Sequence, residues 1–226
     1  SLKELKGRIA SVQSTLKITS AMKMVSSAKL HKVQGTAASF AEYESRLSAM
    51  VATLRAVAEV SSPFTLPHTS KRRAIIVSLA SDSSLCGGFN ASAIKALNET
   101  EKRLANEGYE QRTVVAIGEK MVAAATKAEY DMCRDFPTSI GDYTYAEVAR
   151  LAEWLMEEYA AERVDRVEVV YHHFHSMGRQ SSVADQLLPM AVDSMAAAEA
   201  TDVEYIFEPS VEELLASVVP YAVKTR

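Results

Sequence analysis

The chain has 226 residues, 48% of them hydrophobic, and a formal net charge of −4, enough for one ordinary domain and an additional element. No apolar run approaches the roughly 18 residues that a bilayer-spanning helix needs, and the basic–apolar alternation of residues 1–8 lacks the apolar core of a signal peptide. Cys86 and Cys133 lie far apart and outside any C-x-x-C spacing, so they read as small hydrophobes in a reducing compartment.

The charge is unevenly placed. Residues 1–41 carry Lys3, Lys6, Arg8, Lys17, Lys23, Lys29 and Lys32 against a single Glu4, a local charge of +6, and the remainder carries −10. Such asymmetry points to an N-terminal element that meets an acidic partner.

From Lys3 to Glu59 there is no proline, and the only glycines are Gly7 and Gly35. Leu2, Leu5, Ile9, Val12 and Leu16 follow a 3-4-3-4 spacing. Leu30, Val33, Ala37 and Phe40 resume it, and Tyr43, Leu47, Met50, Leu54 and Val57 continue it after a one-residue slip. This is a narrow heptad-like seam rather than the wider stripe of a globular helix. It predicts one helix over residues 1–60, roughly 90 Å long at about 1.5 Å per residue, which must bury its seam on another helix. Pro63 and Pro67 stop it, because proline lacks the amide donor, and residues 61–71 read as a linker.

The period then changes. Residues 74–79 and 113–117 are short β-branched strands, and residues 167–174 form a third. Residues 91–105, 119–128 and 145–161 have helical spacing. Strands alternating with helices imply crossover connections and a mostly parallel sheet, so residues 72–207 read as one α/β domain of Rossmann-like type. Ser210 and Glu213 form a capping box that opens a helix over residues 210–226. In it Leu214, Leu215, Val218 and Val219 begin an apolar face and Pro220 predicts a kink.

Four motifs invite chemistry and each has a plainer reading. Leu85-Cys86-Gly87-Gly88-Phe89-Asn90 follows a strand and opens a helix, where phosphates are often held. It lacks the Lys-Ser/Thr of a P-loop and the three-glycine dinucleotide spacing, so a tight turn needing positive φ is the reading the residues favour. Asp82, Ser83 and Ser84 sit in no G-x-S-x-G elbow, and Asp82 reads as a helix-start or turn residue. His173 and His175 share a strand face while His172 points the other way, without a cysteine or carboxylate at metal spacing. The lysines of the first helix lack the aromatic interleaving and clustering of a nucleic-acid reader. No catalytic group, cofactor site, metal site or nucleic-acid partner is therefore expected.

Three segments carry a family resemblance. Residues 18–29, ITSAMKMVSSAK, resemble the I-T-x-A-M-x-M-V-x-x-x-K segment of F-type ATP synthase γ subunits. Residues 78–90, SLASDSSLCGGFN, are similar to that family's S-x-D-R-G-L-C-G-G segment, with Ser83 where the family has arginine. Tyr205-Ile206-Phe207-Glu208-Pro209, followed by Leu214-Leu215, is similar to its Y-L-Y-E-P segment. The three stand in the family's order across nearly the whole chain.

The resemblance implies a rotor shaft: a long helix, half of an antiparallel coiled coil, standing on an α/β foot inside a ring of α and β subunits. It places Met22, Lys23 and Lys29 in contact with acidic loops of β. Tyr205, Phe207 and Glu208 fall where the foot meets the ε subunit (δ in mitochondria) and the membrane c-ring. It implies catalysis on β rather than on this chain, and a peripheral location on the cytoplasmic face of a bacterial plasma membrane or the matrix side of the mitochondrial inner membrane. The family's second long helix begins here and is cut short, so a longer natural product is expected, and the seam of residues 2–57 is expected to lack a partner within the chain.

Overall fold

The computed structural model describes residues 1–57, 62–70, 72–190, 208 and 210–225. Its elements are α1 (Leu2–Val57), β1 (Arg73–Leu79), α2 (Phe89–Asn106), β2 (Gln111–Ile117), α3 (Glu119–Lys127), β3 (Asp131–Met132), α4 (Tyr145–Ala160), β4 (Arg166–Ser176), β5 (Arg179–Leu188) and α5 (Val211–Thr225). Contacts divide the chain within α1 into two units, Ser1–Arg46 and Leu47–Arg226.

The 56-residue α1 is a single helix. Ser1 starts it: its carbonyl accepts from the Leu5 amide at 3.1 Å, and its terminal ammonium meets the Glu4 carboxylate at 3.3 Å. Thr15, Thr19, Ser39 and Thr53 turn their hydroxyls back onto carbonyls four residues earlier, which satisfies those hydroxyls without breaking the ladder. Gly7 and Gly35 cost about 1 kcal/mol each relative to alanine, and a Cβ at either would meet nothing within 4 Å.

The second unit is built on a five-stranded sheet in the order β3-β2-β1-β4-β5. β1 pairs in parallel with β2 and β4, β2 in parallel with β3, and β4 antiparallel with β5. The mixed α/β, mostly parallel class expected from the sequence is the one observed. Two strands are additional to that expectation: β3 is two residues long, and β5 is half polar because it lies at the sheet edge with one flank unpaired in the strand order. Alternation sends Ala74, Ile76, Val114, Ala116 and Val170 to one face, where α2 and α3 supply Leu97, Leu104 and Met121. Ile75, Val77, Val115, Ile117 and Val167 face the other layer.

That second layer holds α4, α5 and the last turns of α1. Leu47, Val51 and Leu54 share one buried cluster with Leu155 and Tyr159 of α4 and with Leu215, Val219, Ala222 and Val223 of α5. The end of the seam therefore has partners inside the chain, which corrects the expectation of none. α5 spans Val211–Thr225 with Pro220 inside it. The Ser210 hydroxyl accepts from the Glu213 amide at 3.2 Å, the serine half of the capping box, and Lys224 bonds Glu153 of α4 at 2.6 Å.

Asp165 ties the segment before β1 to the sheet. Its buried carboxylate accepts from the Arg72 and Arg73 amides at 2.9 Å each and from the Ser70 hydroxyl, with His68 Nδ1 at 3.5 Å. Burial alone would raise the Asp165 pKa, but the Ser70, Arg73 and Arg72 bonds and the His68 charge hold it below the ordinary carboxylate value. His68 stacks on Tyr159 at 4.2 Å, and the Tyr159 hydroxyl, pushed up to about 12 by burial, donates to the Leu66 carbonyl at 2.6 Å. On the opposite face, buried Glu168 is bonded by Arg103 of α2 and by Arg166 Nε at 2.6 Å, the pairing a buried carboxylate requires.

Candidate functional site

The loop after β1 is the first place to look for chemistry, and its side chains bond within the loop and to neighbouring segments. Gly87 has φ 59°, the positive value expected of this turn. Asn90 ties the loop together: its Oδ1 accepts from the Ser81 amide at 3.0 Å and hydroxyl at 2.9 Å, and its Nδ2 donates to the Ser83 carbonyl at 3.0 Å and approaches Cys86 Sγ at 3.1 Å. Asp82 does cap a helix, but one 37 residues away. Its carboxylate accepts from the Glu119 amide at 3.0 Å, the Ser139 hydroxyl at 2.9 Å and the Ile140 amide at 3.2 Å. The Glu119 amide bond is the main reason its pKa lies below the usual carboxylate value. The helix it caps, α3, begins after Gly118, which has φ 98° and whose Cβ, if present, would lie 2.0 Å from the Ala80 carbonyl oxygen. Only glycine fits there.

His172 stacks on Phe89 at 3.8 Å, and its Nε2 meets the Ser92 and Ser182 hydroxyls at 2.8 and 3.0 Å. Burial pushes its pKa down. It fastens α2 to the β4–β5 hairpin. His173 and His175 are exposed with ring centroids 4.7 Å apart. Among the described residues no group of three or more His, Cys, Asp or Glu side chains is placed to hold a metal ion, and no helix is long and apolar enough to cross a membrane.

The unexplained surface is on α1. Leu2, Leu5, Ile9, Val12 and Leu16 are 49–71% exposed, and Met24, Val25, Val33, Phe40 and Tyr43 are 47–74% exposed. Within the same helix Leu47 falls to 8%, Val51 to 1% and Leu54 to 2%. Burying a side chain of this size stabilises by about 1.5–3 kcal/mol, so a run of ten left in water marks an interaction surface.

The residues singled out in the sequence stand on that surface. Met22 is 45% exposed, and Lys23 and Lys29 are exposed. Met22 and Lys29 are seven residues apart, so they lie on nearly one line of the helix, about 10.5 Å apart along its axis. Lys23 looks onto a different strip: with Ser20, Met24, Ser27, Ala28 and His31 it lines a shallow groove. His31 was not singled out in the sequence; its position eight residues beyond Lys23 was the available signal. The small side chains Ala21, Ser26, Ser27 and Ala28 are all exposed, leaving a surface with little relief. Of the other three residues, Glu208 is exposed, and Tyr205 and Phe207 lie outside the described residues.

Comparison with known proteins explains why one chain joins such a helix to such a sheet. Residues 1–226 match the family model described as ATP synthase. The chain is 40% identical over 232 residues to the ATP synthase gamma chain of Bacteroides thetaiotaomicron, covering 97% of this chain and 78% of that one. It is 39% identical over 229 residues to the gamma chain of Phocaeicola vulgatus, covering 100% and 79%, and 33% identical over 231 residues to that of Cytophaga hutchinsonii, covering 100% and 78%. The chain is thus a subunit of the ATP synthase complex. Within it, the chain belongs to the gamma-chain family, the rotor shaft of the F1 sector.

Proposed function

We propose that residues 1–46 are the working surface of the shaft, and that Met22, Lys23 and Lys29 slide past acidic loops of the β subunits. The exposed positions of Met22, Lys23 and Lys29 carry this reading, because the apolar seam of the same helix is the face the resemblance gives to a coiled-coil partner helix. The small exposed side chains around Met22 suit a sliding contact, which needs low relief, and the +6 charge of residues 1–41 suits an acidic track. A shaft that is not three-fold symmetric touches three equivalent β subunits differently. Each contact pattern favours a different β conformation and nucleotide affinity, and rotation passes those preferences around the ring.

The chain contributes no catalytic group of its own on this reading. Asn90 spends its amide on Ser81 and Ser83 within the loop, which supports a structural role for the turn. The second unit is the foot, with Tyr205, Phe207 and Glu208 toward the ε-type subunit and the c-ring, peripheral to the membrane on the cytoplasmic or matrix side.

The test is a cysteine at position 22 paired with one in the acidic loop of β, in the assembled complex. Oxidation is expected to form the cross-link and to stop ATP hydrolysis, and reductant to restore it. A complex that forms no cross-link while turning over normally would place the contact on another face of α1.

A further inference from the structure

Between the sheet and the layer formed by α4 and α5 lies a cavity of about 260 Å³. Leu79, Ile117 and Val169 form its floor, Leu151 and Leu155 line its α4 side, and Val223 its α5 side. It is a hollow open to solvent on one side, between Ile140 and Val148, with walls of branched apolar side chains. A dry cavity of about 150 Å³ already accepts benzene.

The wall has one discordant atom. Tyr143 lines the cavity, and its hydroxyl is buried with no hydrogen-bond partner among the described residues. An orphaned buried hydroxyl is destabilising, because it has lost its bond to water and gained none in return. Water is a poor remedy, since a buried water wants two to four polar partners and the surrounding side chains are aliphatic. Burial raises the Tyr143 pKa, so the group stays a neutral donor. The charge at the rim, Lys224, is already bonded to Glu153 at 2.6 Å, which leaves nothing to neutralise a charged ligand. At the mouth, Ile140 and Val148 are 44% and 42% exposed, giving an apolar entrance.

We propose that this cavity binds a small, uncharged, largely apolar molecule, about the size of a fused two-ring aromatic, through one acceptor that takes the Tyr143 hydrogen bond. The site is independent of the shaft surface on α1. Because its walls come from the sheet, α4 and α5 together, an occupant stabilises the packing of all three and raises the melting temperature.

The experiment titrates the 226-residue chain with 2-acetonaphthalene and with 2-isopropenylnaphthalene, the same shape with a methylene in place of the carbonyl oxygen. Calorimetry and thermal melting are the readouts. The expected result is saturable one-to-one binding of the ketone, about tenfold or more tighter than the alkene, which is what one orphaned hydrogen bond is worth. Tyr143→Phe should bring the ketone down to the alkene and leave the alkene unchanged. Val148→Trp, which fills the mouth from a half-exposed position, should remove both while the chain melts cooperatively, and Ala152→Leu is the second filling variant should the first fail to fold. Absence of saturable binding by the folded chain, equal affinity for the two probes, or binding unmoved by the filling variants would overturn the proposal.

Discussion

One helix carries two regimes. Up to Tyr43 most apolar residues of α1 stand in water, with Leu16 63% exposed; beyond it Leu47, Val51 and Leu54 are inside a core, with Val51 1% exposed. The local sequence marks the change only by a one-residue slip of the seam after Phe40 and the end of the basic segment at residue 41; leucine, valine and methionine continue at helical spacing. The difference is what lies alongside: in the second unit α4 and α5 supply Tyr159, Leu215 and Val219 as neighbours. A heptad-like seam therefore declares that a face will be covered, and the partner decides where.

Substitutions along that helix should separate the two regimes. Leu54→Ala removes a buried side chain and is expected to cost about 2–5 kcal/mol, read as a drop in denaturant midpoint of the isolated chain. A cost below about 1 kcal/mol would mean that the last turns of α1 are not part of the core. Gly118→Ala tests the sheet side of the same unit: a backbone forced to hold alanine at φ 98° costs about 1–3 kcal/mol, and the clash with the Ala80 carbonyl adds to it.

Asp82→Ala should be milder, about 1 kcal/mol, the usual loss of a helix cap. Its pH signature is specific. The folded-state pKa is depressed, chiefly by the Glu119 amide bond, so the stabilisation is present above the unfolded carboxylate value near 3.9 and lost as pH falls through the folded one. Wild type and Asp82→Ala should therefore converge in stability toward acid pH, and parallel curves would sink the capping role. The smallest effect is expected at the other end of α1. Leu16→Ala should change the stability of the isolated chain by less than about 0.5 kcal/mol, yet weaken assembly with the other subunits. A large loss in the isolated chain would show that the exposed seam is already covered.

Much was legible in the linear chain. The 56 residues of α1 follow from an unbroken seam without proline, the parallel strands from short β-branched runs between helices, and the turn at Gly87 from a glycine pair between strand and helix. The three motif segments pointed to the family to which the comparisons assign the chain. Two strands were illegible for a physical reason. β3 is too short to show a period, and β5 is an edge strand whose polar face is as much a part of it as its apolar one.

The reach of individual polar groups was not legible either. Asp82 looked like a local cap because capping is usually local, yet its bonds go to Glu119, Ser139 and Ile140. Asp165, which gathers the amides of Arg72 and Arg73, drew no notice because its partners are more than ninety residues away in sequence.

By itself the sequence determined the helices and the three central strands, and that one face of α1 must be covered, because backbone conformation and hydrophobic period are properties of neighbouring residues. Only the tertiary structure decided where along α1 that cover begins, which helix Asp82 caps, and that a cavity opens beside Tyr143. Each of these depends on which distant side chains arrive at the same place, and the folded packing of sheet against helices is what brings them there.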